Sequence, residues 1–162
     1  MKSVGVLNLE HYQEKHNESL CSFYLPMEQE QFTGLPSKML REVGEGQHPI
    51  VITSGDVAVG FFILHTTERV KEFSDNPHAM LLTAFSINFK EQGKGYAKQG
   101  LLLLHDFVRK EFPNCEEILL AVNHKNIPAQ KLYQKVGFED TGKRKMGSIG
   151  EQYVMKLNMT SF

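Results

Sequence analysis

A chain of 162 residues, 41% hydrophobic and 23% charged, is the size of one globular domain and holds enough apolar material for one core. This composition excludes collagen, a coiled coil and a disordered tail, and the longest apolar runs, such as Val57 to Leu64 and Leu101 to Leu104, fall far short of the roughly 20 residues of a membrane-spanning helix. A formal net charge of −1 argues against nucleic-acid binding through phosphate neutralisation, so the expectation is one domain over residues 1–162 with no nucleic-acid or membrane partner.

The first ten residues, Met1 to Glu10, contain no long apolar stretch and no small-residue cleavage site, which makes the cytoplasm the expected compartment. Val4 to Leu9 alternates as a strand does, and the polar stretch from His11 to Ser22 suits a short helix. Met27 to Val43 is rich in helix formers, but Gly34 and Pro36 divide it, and Ser37 is positioned to cap the second of two short helices. Pro49 to Thr53 and Val57 to Thr67 are β-branched and aromatic around Ser54-Gly55-Asp56, the pattern of a hairpin.

A charged loop from Glu68 to Pro77 precedes a buried strand from Ala79 to Asn88, which leads into a glycine-bearing loop ending Gly93-Lys94-Gly95. From Tyr96 to Glu111, Ala97, Leu101, Leu104 and Val108 recur on one helical face while Lys98, Arg109 and Lys110 supply a polar side. After Pro113-Asn114, Ile118 to Val122 is a short strand. Pro128 then opens, and Gly137 closes, a helix striped by Ala129, Leu132, Tyr133 and Val136. Phe138 to Lys143 and Gln152 to Met159 are the last strands, around Gly147-Ser148-Ile149-Gly150. The order predicts an α+β fold with about seven strands and about four helices.

Gln92-Gly93-Lys94-Gly95-Tyr96-Ala97 lies between strand and helix, where backbone N–H groups free of side-chain obstruction converge at the positive end of a helix dipole. A plain turn also explains glycines at a helix start. The sequence is not a Walker loop, which needs GxxxxGK followed by Ser or Thr. It also lacks the last glycine of a dinucleotide fingerprint. Cys21 and Cys115 have no CxxC or Cys/His spacing, and His11 and His16 do not form an HExxH pair, so free thiols and no metal are expected. A covalent acyl carrier on either cysteine has no Cys-His motif to support it.

The loop resembles the acyl-CoA signature of the GNAT N-acetyltransferase superfamily, (Gln/Arg)-x-x-Gly-x-(Gly/Ala), matched by Gln92, Gly95 and Ala97. A second block of that family is similar to Leu120 through Ala129, followed by Leu132-Tyr133 and Gly137-Phe138. Both stand in family order, and with the preceding strand they cover residues 79–144. The resemblance implies a mixed, mostly antiparallel sheet whose central strands part to admit acyl-CoA. It also implies an acyltransferase that moves an acetyl group from acetyl-CoA to an amine by direct attack in a ternary complex, without a metal.

On the same resemblance, the N–H groups of Gly93, Lys94, Gly95, Tyr96 and Ala97 hold the CoA pyrophosphate after Gln92, and the exposed backbone from Phe85 to Ile87 lines the pantetheine arm. Asn126 is implied near that arm, although Asn before Ile-Pro is equally a helix cap. Tyr133 is implied as the general acid for the departing thiolate; an aromatic on a helix stripe is otherwise core packing, a role that Leu132 could fill instead. For the general base the options stay open: His65, Ser86 through a water, Glu28, or no single residue.

The chain is polar in its charge. Residues 1–48 carry 4 Lys/Arg against 7 Asp/Glu, residues 49–89 carry 2 against 4, and residues 90–162 carry 12 against 8, or −3, −2 and +4. Solvated faces alone produce such asymmetry. The basic half suits a polyphosphate ligand, and Glu28, Glu30 and Glu42 in the acidic third suit a cationic small amine as acceptor. Alternatives are a protein N-terminal or lysine acetyltransferase, or an acyl-CoA-binding module without turnover. Exposed strands in a small domain also make a homodimer one arrangement open to the chain.

Overall fold

The computed structural model describes residues 6–159. Strands β1 (Leu7–His11), β2 (Gln47–Ser54), β3 (Val57–His65) and β4 (Ala79–Ile87) are successive antiparallel neighbours. β5 (Glu117–Asn123) runs parallel to β4, and the hairpin β6 (Glu139–Gly147) and β7 (Gly150–Asn158) returns to lay β7 against β5. The result is one seven-stranded mixed sheet in the order β1-β2-β3-β4-β5-β7-β6, the α+β architecture the sequence predicts. The parallel pair falls at the centre, which requires a crossover, and the helices after β4 supply it.

Six short α-helical segments stand among the described residues: α1 (Asn17–Cys21), α2 (Met27–Glu30), α3 (Pro36–Arg41), α4 (Tyr96–Leu102), α5 (Leu104–Glu111) and α6 (Ile127–Lys135). The expected division of residues 27–43 into two helices is present. Ser37, however, is not the cap: Pro36 takes the first helical turn and Leu35 the N-cap, because proline needs no N–H partner there and presets the helical φ. The helix expected over 96–111 is interrupted at Leu103, whose N–H bonds the Gly100 carbonyl at 3.1 Å. Gly100 lies against Ile52, where a Cβ would come within 2.9 Å of Ile52 Cδ1, so the helix is drawn close to the sheet at this point.

Smaller differences lie at element ends. The first strand is shifted toward His11, and Val4 lies outside the described residues. The stretch from His11 to Ser22 begins as a 3₁₀ turn, Glu14–His16, before α1, and the loop after Thr67 contains a second, Glu68–Glu72. α6 matches its expected limits, with Pro128 in the first turn and Gly137 at φ +110°. The outer strand β6 is exposed along most of its length and carries Lys143, Arg144 and Lys145, charges that discourage edge-to-edge pairing.

The main core joins the α4–α6 face of the sheet, with Phe62, Leu64, Leu101, Leu104, Val108, Tyr133 and Phe138 among its members. A second cluster on the opposite face packs Leu20 and Phe23 against Val51, Phe61 and Ile63. β4 changes phase between these layers. Met80 and Leu82 belong to the main core, yet so do Ile87 and the partly buried Phe85, which strict alternation would not allow. The cause is a β-bulge opposite β3: Phe61 pairs with Ser86 but Ile63 pairs with Thr83. Ala84 takes the extra position at φ +58°, a left-handed conformation costing of order 1 kcal/mol for a residue with a Cβ.

Candidate active site

β4 and β5 pair only at Ala79, Met80 and Leu81 with Glu117, Ile118 and Leu119. Beyond Leu81 the strands part: β5 continues against β7 as far as Asn123, and β4 continues against β3 as far as Ile87. A cleft of about 890 Å³ opens between the parted ends, within the range of small-molecule sites. Residues 82–87 of β4 and 120–123 of β5 line it, together with the loop to α4, the start of α6, and the region of α2.

The loop that closes one end turns on two left-handed glycines, Gly93 at φ +82° and Gly95 at φ +83°. A Cβ at Gly93 would meet nothing within 4 Å, so the loop backbone faces open space. α4 begins immediately after, and the first N–H groups of a helix have no partner within it. A concave run of N–H groups in such a turn is an anion-binding shape.

Gln92, Gly93, Gly95, Tyr96, Ala97, Phe85, Ile87, Asn126 and Tyr133 all line the cleft, so the structure brings together residues from three separate stretches of sequence. Lys94 is absent from the lining: its ammonium pairs with Glu91 at 2.8 Å, which raises the lysine pKa through that hydrogen bond. Only its backbone belongs to the loop. The Ile87 carbonyl accepts the Gln92 side-chain amide at 2.9 Å. The Asn126 side chain accepts the Ala129 N–H at 3.4 Å as the α6 N-cap, and the residue lines the cleft as well.

Tyr133 is buried with its ring centroid 6.3 Å from that of Phe85 and 5.8 Å from that of Phe138. Burial pushes its phenol well above the ordinary tyrosine range, so the hydroxyl stays protonated. The core position is therefore filled by Tyr133 itself, whereas Leu132 is only partly buried.

The groups considered as a base are scattered. Glu28 and Ser86 line the cleft, but Ser86 is buried with no hydrogen-bond partner for its hydroxyl, and Glu28 is exposed. His65 does not line the cleft. It stands behind Thr83, which does, with 2.7 Å between Nε2 and the Thr83 hydroxyl, and burial lowers its pKa to about 4. Glu30 and Glu42 are exposed residues outside the cleft lining, and neither Cys21 nor Cys115 reaches it; burial pushes the Cys115 thiol up to about 11.

Several lining residues had no assignment from sequence. Asn123, at the end of β5, is buried and holds the next loop by accepting the Lys125 N–H at 2.8 Å and donating to the Ile149 carbonyl at 3.3 Å. Gln29 on α2 and Thr83 on β4 join it. A polar residue ending an apolar strand was the available signal for Asn123; Gln29 and Thr83 are brought in by pairings distant in sequence.

The chain matches the acetyltransferase (GNAT) family over residues 10–138. It is 45% identical over 152 residues to the uncharacterized N-acetyltransferase YbbJ of Bacillus subtilis (strain 168), covering 92% of this chain and 95% of that one. Among solved structures, the aminoglycoside acetyltransferase AAC(6')-Ib in complex with acetyl-CoA superposes with a TM-score of 0.73 at 16% identity, over 94% of this chain and 93% of that one. A chimera of spermidine N-acetyltransferase SpeG from Vibrio cholerae and hSSAT superposes with a TM-score of 0.71 at 15% identity, over 96% and 97%. These distant structures establish the likeness of fold.

Proposed function

The chain belongs to the acetyltransferase (GNAT) family and is an acyltransferase, and from that premise we propose that the cleft binds acetyl-CoA and passes its acetyl group directly to a cationic small amine. The observation that carries this reading is the union of parted strands and a left-handed glycine loop in one cleft. Acetyl-CoA, when bound, supplies an activated thioester. The backbone of Gly93 to Ala97 donates to its phosphates, with Gln92 fixing the start of the turn. The free edge of β4 at Phe85 and Ser86 offers backbone groups to an extended pantetheine, and an N–H there can donate to a carbonyl oxygen gaining negative charge. Asn126 borders the same arm.

Tyr133 serves as the proton donor to the departing thiolate. Its place in the cleft lining supports that role, and the buried phenol carries its proton at neutral pH. Neither cysteine is needed, since direct attack in a ternary complex leaves no acetyl group on the protein.

The acceptor reading rests on Glu28, which lines the cleft from α2. Glu30 and Glu42 drop out of it, which narrows the acidic wall. Glu91 also lines the cleft, but Lys94 neutralises it. The named substrates of the structural relatives, aminoglycosides and spermidine, are amines, which agrees with this class. Rates with polyamines, aminoglycosides, amino acids and basic peptides, measured over rising salt, test it. The best acceptor is expected to be cationic, with kcat/KM falling as ionic strength rises. A neutral or anionic best acceptor with salt-independent rates would remove the charge argument and leave the acetyltransferase assignment standing.

A further inference from the structure

The wall that carries Glu28 is stitched to the glycine loop. The Tyr24 N–H donates to Asn88 Oδ1 at 3.0 Å, and the Phe89 N–H donates to the Tyr24 carbonyl at 3.0 Å. The Tyr24 and Phe89 rings meet edge to face with centroids 5.8 Å apart. Further along, Gln29 and Gln92 exchange amide hydrogen bonds: Gln92 Nε2 donates to Gln29 Oε1 at 2.8 Å and Gln29 Nε2 donates to Gln92 Oε1 at 3.1 Å. Gln92 Nε2 also reaches the Ile87 carbonyl at 2.9 Å. Residues 24–29 thus form a seam along residues 88–92, and the loop glycines follow directly.

The seam matters because α2 has little else to hold it. It is one turn long and buries none of its residues, and a single turn in water does not persist by itself. Asn88, by contrast, is buried and anchored, its N–H donating to the Val59 carbonyl at 3.0 Å. The Gln29–Gln92 pair therefore joins a weakly supported wall to a loop that a ligand would restrain. Two elements sharing hydrogen bonds in this way share the entropy cost of ordering, so a ligand on one lowers the cost of ordering the other.

We infer that Gln29 is a positioning residue, through which CoA bound at the glycine loop orders α2 and with it the acceptor wall. The inference rests on the proposed cofactor site, and amide hydrogen exchange on the whole chain separates the two. With CoA itself as the probe, peptides covering 88–97 and peptides covering 24–33 are both expected to exchange more slowly, by about 10-fold, as local opening is suppressed. In Gln29→Leu, CoA should still bind and still slow 88–97, while the effect on 24–33 falls below about 2-fold. Gln29→Glu, which keeps an oxygen to accept from Gln92 but cannot donate, should retain an intermediate effect. Both substitutions fall on a helix that buries nothing, so circular dichroism should stay native. Protection of 88–97 without 24–33 in the wild type, or undiminished protection of 24–33 in Gln29→Leu, would overturn the coupling alone. Absence of any CoA effect on 88–97 would overturn the cofactor site and the coupling together.

Discussion

Replacing Tyr133 by Phe is expected to lower kcat for acetyl transfer by on the order of 10²-fold, with CoA affinity changed by no more than about twofold. The substitution keeps the ring between Phe85 and Phe138 and removes only the hydroxyl, so packing is conserved and the loss reads proton donation. The pH profile sharpens the result. A donor phenol must be protonated, and burial raises its pKa above the ordinary value, so the donor is not lost as pH rises through the neutral and mildly alkaline range. Tyr133→Phe should therefore lower the rate by the same factor from about pH 6 to pH 9, without moving either limb. Unchanged activity would return Tyr133 to packing alone. Tyr133→Ala would not discriminate, because opening a cavity in the main core costs about 3 to 5 kcal/mol whatever the hydroxyl does.

CoA is expected to raise the melting temperature of the wild-type chain and to leave that of Gly95→Asp unchanged. At a ligand concentration of about 100 times Kd, binding to the native state alone adds roughly 2.7 kcal/mol of stability, and this is the quantity the variant should lose. Two effects coincide at Gly95. Its φ of +83° strains any residue with a Cβ, and the side chain would also approach Gln99 Nε2, 3.2 Å from the Cβ position. The carboxylate adds repulsion toward a polyphosphate. Gly95→Ala separates them: it carries the strain, about 1 kcal/mol, without the charge, and should bind CoA measurably more weakly than wild type but more tightly than Gly95→Asp. Wild-type affinity in a folded Gly95→Asp chain would refute the loop assignment.

The features legible in the sequence are those written in local chemistry. Proline at 128 and glycine at 137 bracket α6 because each residue's backbone limits dictate a helix start and a helix stop, and Gly93 and Gly95 announce a turn only they adopt without strain. The cleft residues near these signals were therefore found. The bulge at Ala84 was not, since alanine carries no signature of a left-handed conformation. Yet that bulge decides which face Phe85 and Ser86 occupy. Lys94 entered the expected anion site through its backbone N–H, and nothing in the spacing announced that its side chain pairs with Glu91 one turn back. The seam between residues 24–29 and 88–92 is set by pairings across 63 to 65 positions of sequence, and no periodicity or spacing encodes it.

The most direct test of direct acetyl transfer is to count free thiol released from acetyl-CoA with and without an amine panel, while weighing both the amine and the intact protein by mass spectrometry. Thiol release should depend on the amine and match, one for one, the acetyl groups found on its nitrogen, with the protein mass unchanged. Tight acetyl-CoA binding with no amine-dependent thiol release across the panel, or an acetylated protein that forms before the product, would contradict it.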